Sequence, residues 1–229
     1  MKNTLFKYTL EFIVIVIGIS LSFYVEKMNE EHYRKNLKNQ SLKRILKNIE
    51  VDTGDFQYNL SATRRALYSI DWLIKNRAVM NSLSRDSIGY HLNRAIYFNT
   101  IFVDNQEEYR ALQNSGLIEI IENENVVVKL QEKYITHGFM KKIEDIILKK
   151  AEKFDAYVFQ NLKYQSTKTN DLGLQYDRTF VGEKKLPNTI FEMLQEMGFF
   201  RRFYSSRIIN RKKNDSVLIE EIQNEINLN

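Results

Sequence analysis

The sequence has no cysteine and very few residues that interrupt a helix. Its 229 residues include no cysteine, one proline and eight glycines. The missing cysteines exclude disulfides, thiolate metal sites, iron–sulfur clusters and cysteine nucleophiles. Barrels, sandwiches and collagen-like repeats all need many turn residues, so the shortage of glycine and proline excludes these folds too.

What the chain does contain is enough apolar and charged residues to form one folded unit. Hydrophobic residues make up 43% and charged residues 28% of the sequence. This composition excludes wholesale disorder, and the length fits one domain or one domain with an appendage. The net charge of +5 is mild and gives little support to a nucleic-acid partner.

A single long apolar segment lies near the N-terminus. Residues 12–25 carry no charge, and extension back to Leu5 gives a helix of about 31 Å, close to the ~30 Å hydrocarbon thickness of a bilayer. Lys7 and Glu11 lie near one end, where their side chains can reach the interface. We therefore predict that residues 1–25 are a short tail and an uncleaved transmembrane signal-anchor. A cleaved signal peptide and a buried core helix are the alternatives.

The charges that flank this segment leave its orientation open. More Lys and Arg residues follow the segment than precede it, which by the positive-inside rule favours a cytoplasmic C-terminal domain. A very short N-terminal tail with an early lysine is instead typical of a signal-anchor whose C-terminus lies outside.

One face of the predicted span carries small and acidic residues. Glu11, Gly18 and Ser22 are spaced seven and four apart and so share one side of a helix. Small residues at this spacing permit close helix approach, and an acid within a membrane usually faces protein or water. The pattern predicts helix–helix association, with a second copy or another membrane protein. The alternative is a glycine tolerated by chance and a glutamate at the interface.

Apolar residues at helical spacing continue through residues 26–229 and predict an all-α fold. We expect a long helix over 26–76 with a kink at Gly54, a helix from Ser84, and a helix over 105–114 that stops at Ser115–Gly116. A helix of about forty residues should follow Asn125, and then an irregular stretch at 164–186 that is either a loop or a small hairpin. A helix from Pro187 and a last helix after Gly198 complete the prediction. The predicted architecture is a transmembrane helix continuous with the long helix, followed by an antiparallel helical bundle.

The motifs of catalysis and metal binding are missing from the sequence. None of the three histidines has an acid three residues before it, so the Glu-x-x-His pairs of di-iron bundles are absent, as is HExxH. Phosphate-binding glycine loops and a GxSxG elbow are also absent. We interpret His137 as a core residue and adjacent acids such as Glu144 and Asp145 as solvated. No enzyme, cofactor or metal is predicted.

A basic cluster near the C-terminus is the strongest polar signal in the sequence. It consists of Arg201, Arg202, Arg207, Arg211, Lys212 and Lys213, with no acid among them. Such a cluster can contact anionic lipid or a partner, and less plausibly nucleic acid. The alternative is a solvated helix face paired with Asp215, Glu220 and Glu221.

Two motifs carry a resemblance to a known family. The first covers FKYTLEFIVIVIGISLSFYVEKMNEE, with its matching features at Phe6, Tyr8, Glu11, 16–18 and 29–30. The second covers EYRALQNSGLIEIIENENVVVKLQEKY, with matches at Tyr109, Leu112, Ser115, Gly116, Asn123 and Tyr134. In both motifs the chain resembles a large group of uncharacterised single-span membrane proteins of Bacteroidetes-type bacteria. The tail here is shorter and less basic, and the exit from the span lacks the usual Trp.

This resemblance implies a helical domain of unknown function that is anchored in the bacterial inner membrane, with its bulk in the periplasm. We predict a non-enzymatic structural or interaction subunit of an envelope complex, which contacts membrane lipid and other membrane or periplasmic proteins. One alternative is an extracytoplasmic sensory or ligand-binding bundle that signals through a partner. Another is a cytoplasmic-facing basic module that contacts lipid or nucleic acid.

Overall fold

The computed structural model describes residues 2–165 and 177–227, with side chains from Phe6 onward. Six α-helices and one two-stranded hairpin account for the regular structure of these residues: α1 (Lys2–Lys75), α2 (Arg85–Tyr97), α3 (Glu107–Asn114), α4 (Glu124–Glu152), α5 (Asp155–Asn161), β1 (Leu162–Tyr164), β2 (Arg178–Phe180) and α6 (Asn188–Asn227), with short 3₁₀ turns at Arg77–Ser82 and Leu117–Ile120. The predicted all-α fold is confirmed.

Helix α1 is one uninterrupted helix of 74 residues, which corresponds to a length of about 111 Å. Every described side chain from Phe6 to Tyr33 is exposed, and the first buried one is Lys38. The N-terminal part of α1 therefore projects from the bundle, while its C-terminal part enters the core. This confirms the prediction that the apolar N-terminal helix is continuous with the long helix. The predicted kink at Gly54 does not interrupt it.

Helix α6 packs against both α1 and α4 and runs antiparallel to each of them. Lys38 near the start of the buried part of α1 meets Glu225 near the end of α6, and Lys129 of α4 meets Glu221. The remaining side is covered by α2, α3 and the extended segment 98–106. This arrangement is the predicted antiparallel bundle, built on three long helices.

The core extends along the whole bundle as three successive apolar clusters. The cluster next to the projecting part of α1 includes Leu42, Ile45, Ile49, Leu130, Leu218 and Ile222. The middle cluster includes Phe56, Phe102, Met140, Ile143 and Ile208. The far cluster includes Ile70, Leu73, Leu92, Phe154, Phe180 and Leu194. Because most of these residues lie on α1, α4 and α6, those helices provide most of the hydrophobic stabilisation.

Local capping fixes two of the predicted helix boundaries. The Ser84 hydroxyl accepts a hydrogen bond from the Ser87 N–H at 3.0 Å and starts α2. Gly116 has a φ of 70°, in the left-handed region that glycine adopts at low cost, and follows the end of α3. Both predictions are therefore confirmed.

Two predictions about helix lengths are wrong. The expected helix of about forty residues divides into α4 and α5 at Lys153–Phe154, where the fully buried Phe154 ring enters the far cluster. The expected last two helices are instead one continuous α6. Gly198 lies inside α6, where a Cβ atom would be 3.5 Å from Ile70 Cγ2 of α1. A Cβ atom at that distance would make an ordinary van der Waals contact, so Gly198 neither ends the helix nor is required for its packing on α1.

Part of the predicted loop 164–186 forms a hairpin that packs on α2, while residues 166–176 lie outside the described residues. Leu162 pairs with Phe180 in the antiparallel ladder. At Gly89 of α2, a Cβ atom would lie only 2.1 Å from the Arg178 carbonyl oxygen. The hairpin backbone therefore rests directly on α2, and glycine is required there by this close approach.

We expect Gly89→Ala to lower the free energy of unfolding by at least about 2 kcal/mol, because the hairpin backbone must move away from α2. Gly138→Ala is the matched control: Gly138 lies within α4 with no heavy atom within 4 Å of its Cβ position, so alanine should stabilise by about 0.5–1 kcal/mol. Urea unfolding of the full chain in detergent, followed by circular dichroism, measures both. Equal stability of the two variants would contradict the packing of the hairpin on α2.

Candidate functional site

A buried charge network lies between the three long helices, with Lys133 at its centre. The Lys133 ammonium is 2.8 Å from Asp52 Oδ2 of α1 and 3.5 Å from Asp215 Oδ2 of α6. Arg211 Nε lies 3.0 Å from Asp215 Oδ1. All four side chains are at most 2% exposed. Each of the three helices therefore contributes a charge that another helix neutralises.

The network continues along α4 through His137. Lys133 Nζ donates a hydrogen bond to His137 Nε2 at 3.2 Å, which assigns the ring hydrogen to Nδ1, 3.6 Å from Asp104 Oδ2. Lys141 also pairs with Asp104. Burial, together with the nearby charge of Lys133, lowers the pKa of His137 to about 2. The ring is therefore neutral at pH 7.

Carboxylates of this region bind the backbone of the extended segment 98–106. Asp52 Oδ1 accepts the Asn105 N–H at 3.3 Å, and Asp55 Oδ2 accepts the Val103 N–H at 3.1 Å. Glu144 Oε1 accepts the Phe102 N–H at 2.9 Å, and a hydrogen bond from the Tyr204 hydroxyl. An extended segment without a neighbouring strand needs other acceptors for its N–H groups, and these acids provide them. Burial raises the pKa of Glu144.

A second buried ion pair fixes the end of the bundle nearest the projecting helix. Lys38 Nζ is 2.8 Å from Glu225 Oε1, and both side chains are fully buried. Glu225 also accepts the N–H groups of Glu122 and Asn123 at 2.9 and 3.0 Å. Burial opposes ionisation of Glu225, but the hydrogen bonds from Lys38 and the two N–H groups lower its pKa. This pair thus joins α1, α6 and the turn that precedes α4.

The prediction of a lipid or partner contact is wrong for Arg201 and Arg211, because both are buried inside the bundle. Arg201 donates to the Ala95 and Phe98 carbonyl oxygens at 3.1 and 3.3 Å, and to Asn99 Oδ1 at 2.6 Å. These acceptors lie at the C-terminal end of α2, where a cation is favourable. Burial lowers the pKa of Arg201 to about 10.

The other members of the basic cluster do not form one surface. Arg202 pairs with Asp71 of α1, and Arg207 lies over the Phe203 ring at 4.8 Å. At about 100° per residue, Arg207 points about 120–140° away from Arg202 and Lys213, which share one direction about 16 Å apart along α6. Lys212 is half-buried. The alternative that the cluster is a solvated helix face paired with acids is also wrong in part, because Arg211 and Asp215 are buried together.

The two other acids of the expected solvated face, Glu220 and Glu221, have different surroundings. Glu221 pairs with Lys129 of α4, while Glu220 is exposed. The interpretation of Glu144 as solvated is wrong as well, because its carboxylate is buried against the segment 98–106; Asp145 is exposed as expected. His137 is fully buried, which confirms its interpretation as a core residue.

The residues of the predicted association face are exposed on the projecting part of α1. Gly18 has no heavy atom within 4 Å of its Cβ position, and the Ser22 hydroxyl donates to the Gly18 carbonyl at 2.9 Å. Lys7 Nζ lies 4.0 Å from Glu11 Oε1 on the next turn. Among the described residues, α1 is the one helix that is long and apolar enough to cross a membrane, with a mean hydropathy of 1.9 over its most apolar 18 residues. Association through this face stays a prediction.

Of the six residues matched in the second motif, three lie in or beside the core, two form the turn after α3, and Asn123 caps α4. The rings of Tyr109 and Tyr134 stack with centroids 4.3 Å apart, and Leu112 is fully buried. The Ser115 hydroxyl donates to the Leu112 carbonyl at 3.1 Å, next to the left-handed turn at Gly116. Tyr134 OH donates to the Asn105 carbonyl at 3.3 Å. The structure thus gives these residues packing contacts and a helix stop.

Burial and charge also distinguish a surface of α4 and α6 that sequence reasoning missed. Phe139 and Phe199 are exposed, and the ring of Phe203 contacts both. Arg207 lies over the Phe139 and Phe203 rings, and Lys142 is exposed one turn further along α4. Exposed aromatic groups with cations at their edge are typical of protein-interaction surfaces.

Comparison of the chain with protein-family models, with curated proteins and with solved structures finds no match. Within residues 2–165 and 177–227, no group of three or more His, Asp or Glu side chains could hold a metal ion.

We expect the stability of the bundle to fall between pH 7 and pH 5 in part because of His137. Its pKa is about 2 when folded but near 6.5 when unfolded, so the unfolded chain binds the additional proton as the pH falls. This group alone should remove about 2 kcal/mol at pH 5. His137→Gln keeps an acceptor for Lys133 and should flatten this part of the profile. Urea titrations at several pH values measure the difference, and an unchanged slope in the variant would contradict a neutral buried ring.

Proposed function

We propose that the chain is a non-enzymatic, membrane-anchored structural or interaction subunit of a bacterial envelope complex. The observation that carries this proposal is the continuity of α1. One helix contains both the uncharged residues 12–25, which are all exposed, and the residues from Lys38 onward that form part of the core. A membrane-spanning helix of this kind would hold the bundle at a fixed distance and direction from the bilayer.

The dimensions of α1 support a separation between the bundle and the membrane. Thirteen residues separate Val25 from Lys38, which corresponds to about 20 Å of helix. The side chains of this connecting part are mostly charged or polar and exposed. A bundle carried on such a stalk is suited to contact other proteins, and the aromatic surface at Phe139 and Phe199, with its cationic edge, suits an acidic protein partner.

The use of the buried charges supports a non-enzymatic role. Lys133, Asp52 and Glu144 bind one another's helices or the backbone of segment 98–106, so each has a structural task. Catalytic acids and bases need a cavity that admits substrate. The resemblance to uncharacterised single-span proteins is consistent with this proposal and stays a prediction.

A sensory or ligand-binding bundle is the second candidate. It is favoured by a cleft on α1 and α2 whose lining includes three arginines. In that case the rigid α1 would carry the response to a partner through the membrane.

Membrane topology decides on which side of the membrane either function is performed. It is simple to measure because the sequence has no cysteine. We expect Val51→Cys, at an exposed position of the bundle, to react in intact cells with a maleimide that crosses the outer but not the inner membrane. Asn3→Cys, on the other side of the span, is the matched control and should react only after lysis. The reverse pattern would place the bundle in the cytoplasm and contradict the proposal.

The same samples test the anchor. An uncleaved span should leave the protein in membranes after alkaline extraction, with its N-terminal residues present by mass spectrometry. A mature chain that begins near Phe23 and is released in soluble form would contradict membrane anchoring.

A further inference from the structure

A cleft between α1 and α2 carries three arginines and, among the residues that the structure describes, no acid in its lining. It has a volume of about 250 Å³ and is lined by Arg64, Arg65, Tyr68, Ser69, Tyr90 and Arg94. Within the described part of the chain, no ion pair engages any of these three arginines. Elsewhere in the bundle, arginines such as Arg44, Arg202 and Arg211 have carboxylate partners. The cleft is therefore a local concentration of uncompensated positive charge.

Aromatic rings hold two of the guanidinium groups in place. Arg94 lies 4.3 Å from the Tyr90 ring centroid and 5.5 Å from that of Phe98, and Arg65 lies 4.8 Å from Phe98. Stacked guanidinium groups keep their N–H edges available for an anion, and fixing them in advance reduces the entropy lost on binding. Arg94 Nε is buried without a hydrogen-bond partner among the described residues. An unpaired buried donor is costly, so the aromatic packing holds Arg94 in place without satisfying this N–H group.

We propose that this cleft binds a small organic phosphate, with Arg64, Arg65 and Arg94 contacting the phosphate oxygens. Arginine is the side chain best matched to phosphate, because its planar N–H groups form paired hydrogen bonds to two oxygens. The exposed Tyr68 and the Tyr90 ring provide apolar faces and hydroxyl donors for the organic part of the ligand. The volume lies just below the range of small-molecule sites, which begins at roughly 300 Å³, so it suits a phosphate with one ring.

The position of the cleft favours a soluble phosphate over a lipid headgroup. Thirty-nine residues of continuous helix separate Val25 from Arg64, or about 58 Å. Headgroups of the membrane that holds α1 would therefore be far from the arginines. The proposal does not depend on which side of the membrane the bundle occupies.

The test uses the full chain in lipid nanodiscs and phenyl phosphate as the probe, with binding measured by isothermal titration calorimetry. Phenyl phosphate should bind at about 1 mM or below, and phenol should not bind at that concentration. Arg64→Gln combined with Arg94→Gln should weaken binding at least about tenfold, through the loss of charge-assisted hydrogen bonds. Arg110→Gln, which removes an exposed arginine of α3 outside the cleft, is the matched control and should bind as the wild type does.

Three results would overturn the proposal: no binding of phenyl phosphate, equal binding by the Arg64/Arg94 variant, or binding of phenol as strong as that of phenyl phosphate. Circular dichroism shows whether each variant is folded, and Arg64→Gln alone, at an exposed position, provides a milder second variant. Anionic lipid in the nanodisc should leave the affinity unchanged. Competition from that lipid would identify a headgroup site and would equally overturn binding of a soluble ligand.

Discussion

The bundle depends on one buried ammonium group, that of Lys133 on α4. Removing a charge from water costs several kcal/mol unless opposite charges and hydrogen bonds compensate for it. Here the compensation comes from Asp52 of α1 and Asp215 of α6, so the three helices are stable only in the rotation and register that bring these groups together. Apolar clusters above and below this layer could tolerate small sliding of one helix along another, whereas the charge layer cannot.

The same layer fixes the part of the fold that is not helical. Asp52 contacts Lys133 with one carboxylate oxygen and segment 98–106 with the other. Through that contact, the register of α1 also sets the position of the Phe102 ring, which stacks on Phe56 at 4.6 Å. A single constraint therefore determines the packing of the helices and the path of the segment that closes the bundle. Because α1 is also the helix that projects from the bundle, this constraint extends to the apolar segment at its N-terminal end.

The sequence predicted the class of fold well because that class depends on apolar periodicity. The continuity of α1, the start of α2 at Ser84 and the stop at Gly116 follow from spacing and capping residues. The division of α4 from α5 was missed because no glycine or proline marks it; it coincides with the buried Phe154 ring. Gly198 misled for the opposite reason, since it lies inside the continuous helix α6 and marks no boundary.

The polar interior was harder to predict. The basic cluster at 201–213 was expected on one surface. Because neighbours in sequence point in different directions on a helix, its members are instead distributed around α6. The informative pattern was a charge on an apolar stripe: Lys133 lies three and seven residues from Leu130 and Met140, and Asp215 three and seven from Leu218 and Ile208. That pattern identifies which charges are buried, but their partners come from other helices and depend on tertiary packing.

The most direct test of a rigid connection between span and bundle is a distance across the junction in α1. The chain has no cysteine, so spin labels can be attached at Phe23→Cys and Val51→Cys, two exposed positions. Electron paramagnetic resonance of the protein in nanodiscs should give one narrow distance distribution near 42 Å, about 1.5 Å for each of the 28 residues of helix between the labels. A broad distribution, or one centred at a clearly shorter distance, would show that the helix breaks between the apolar segment and the bundle and would contradict a rigid connection.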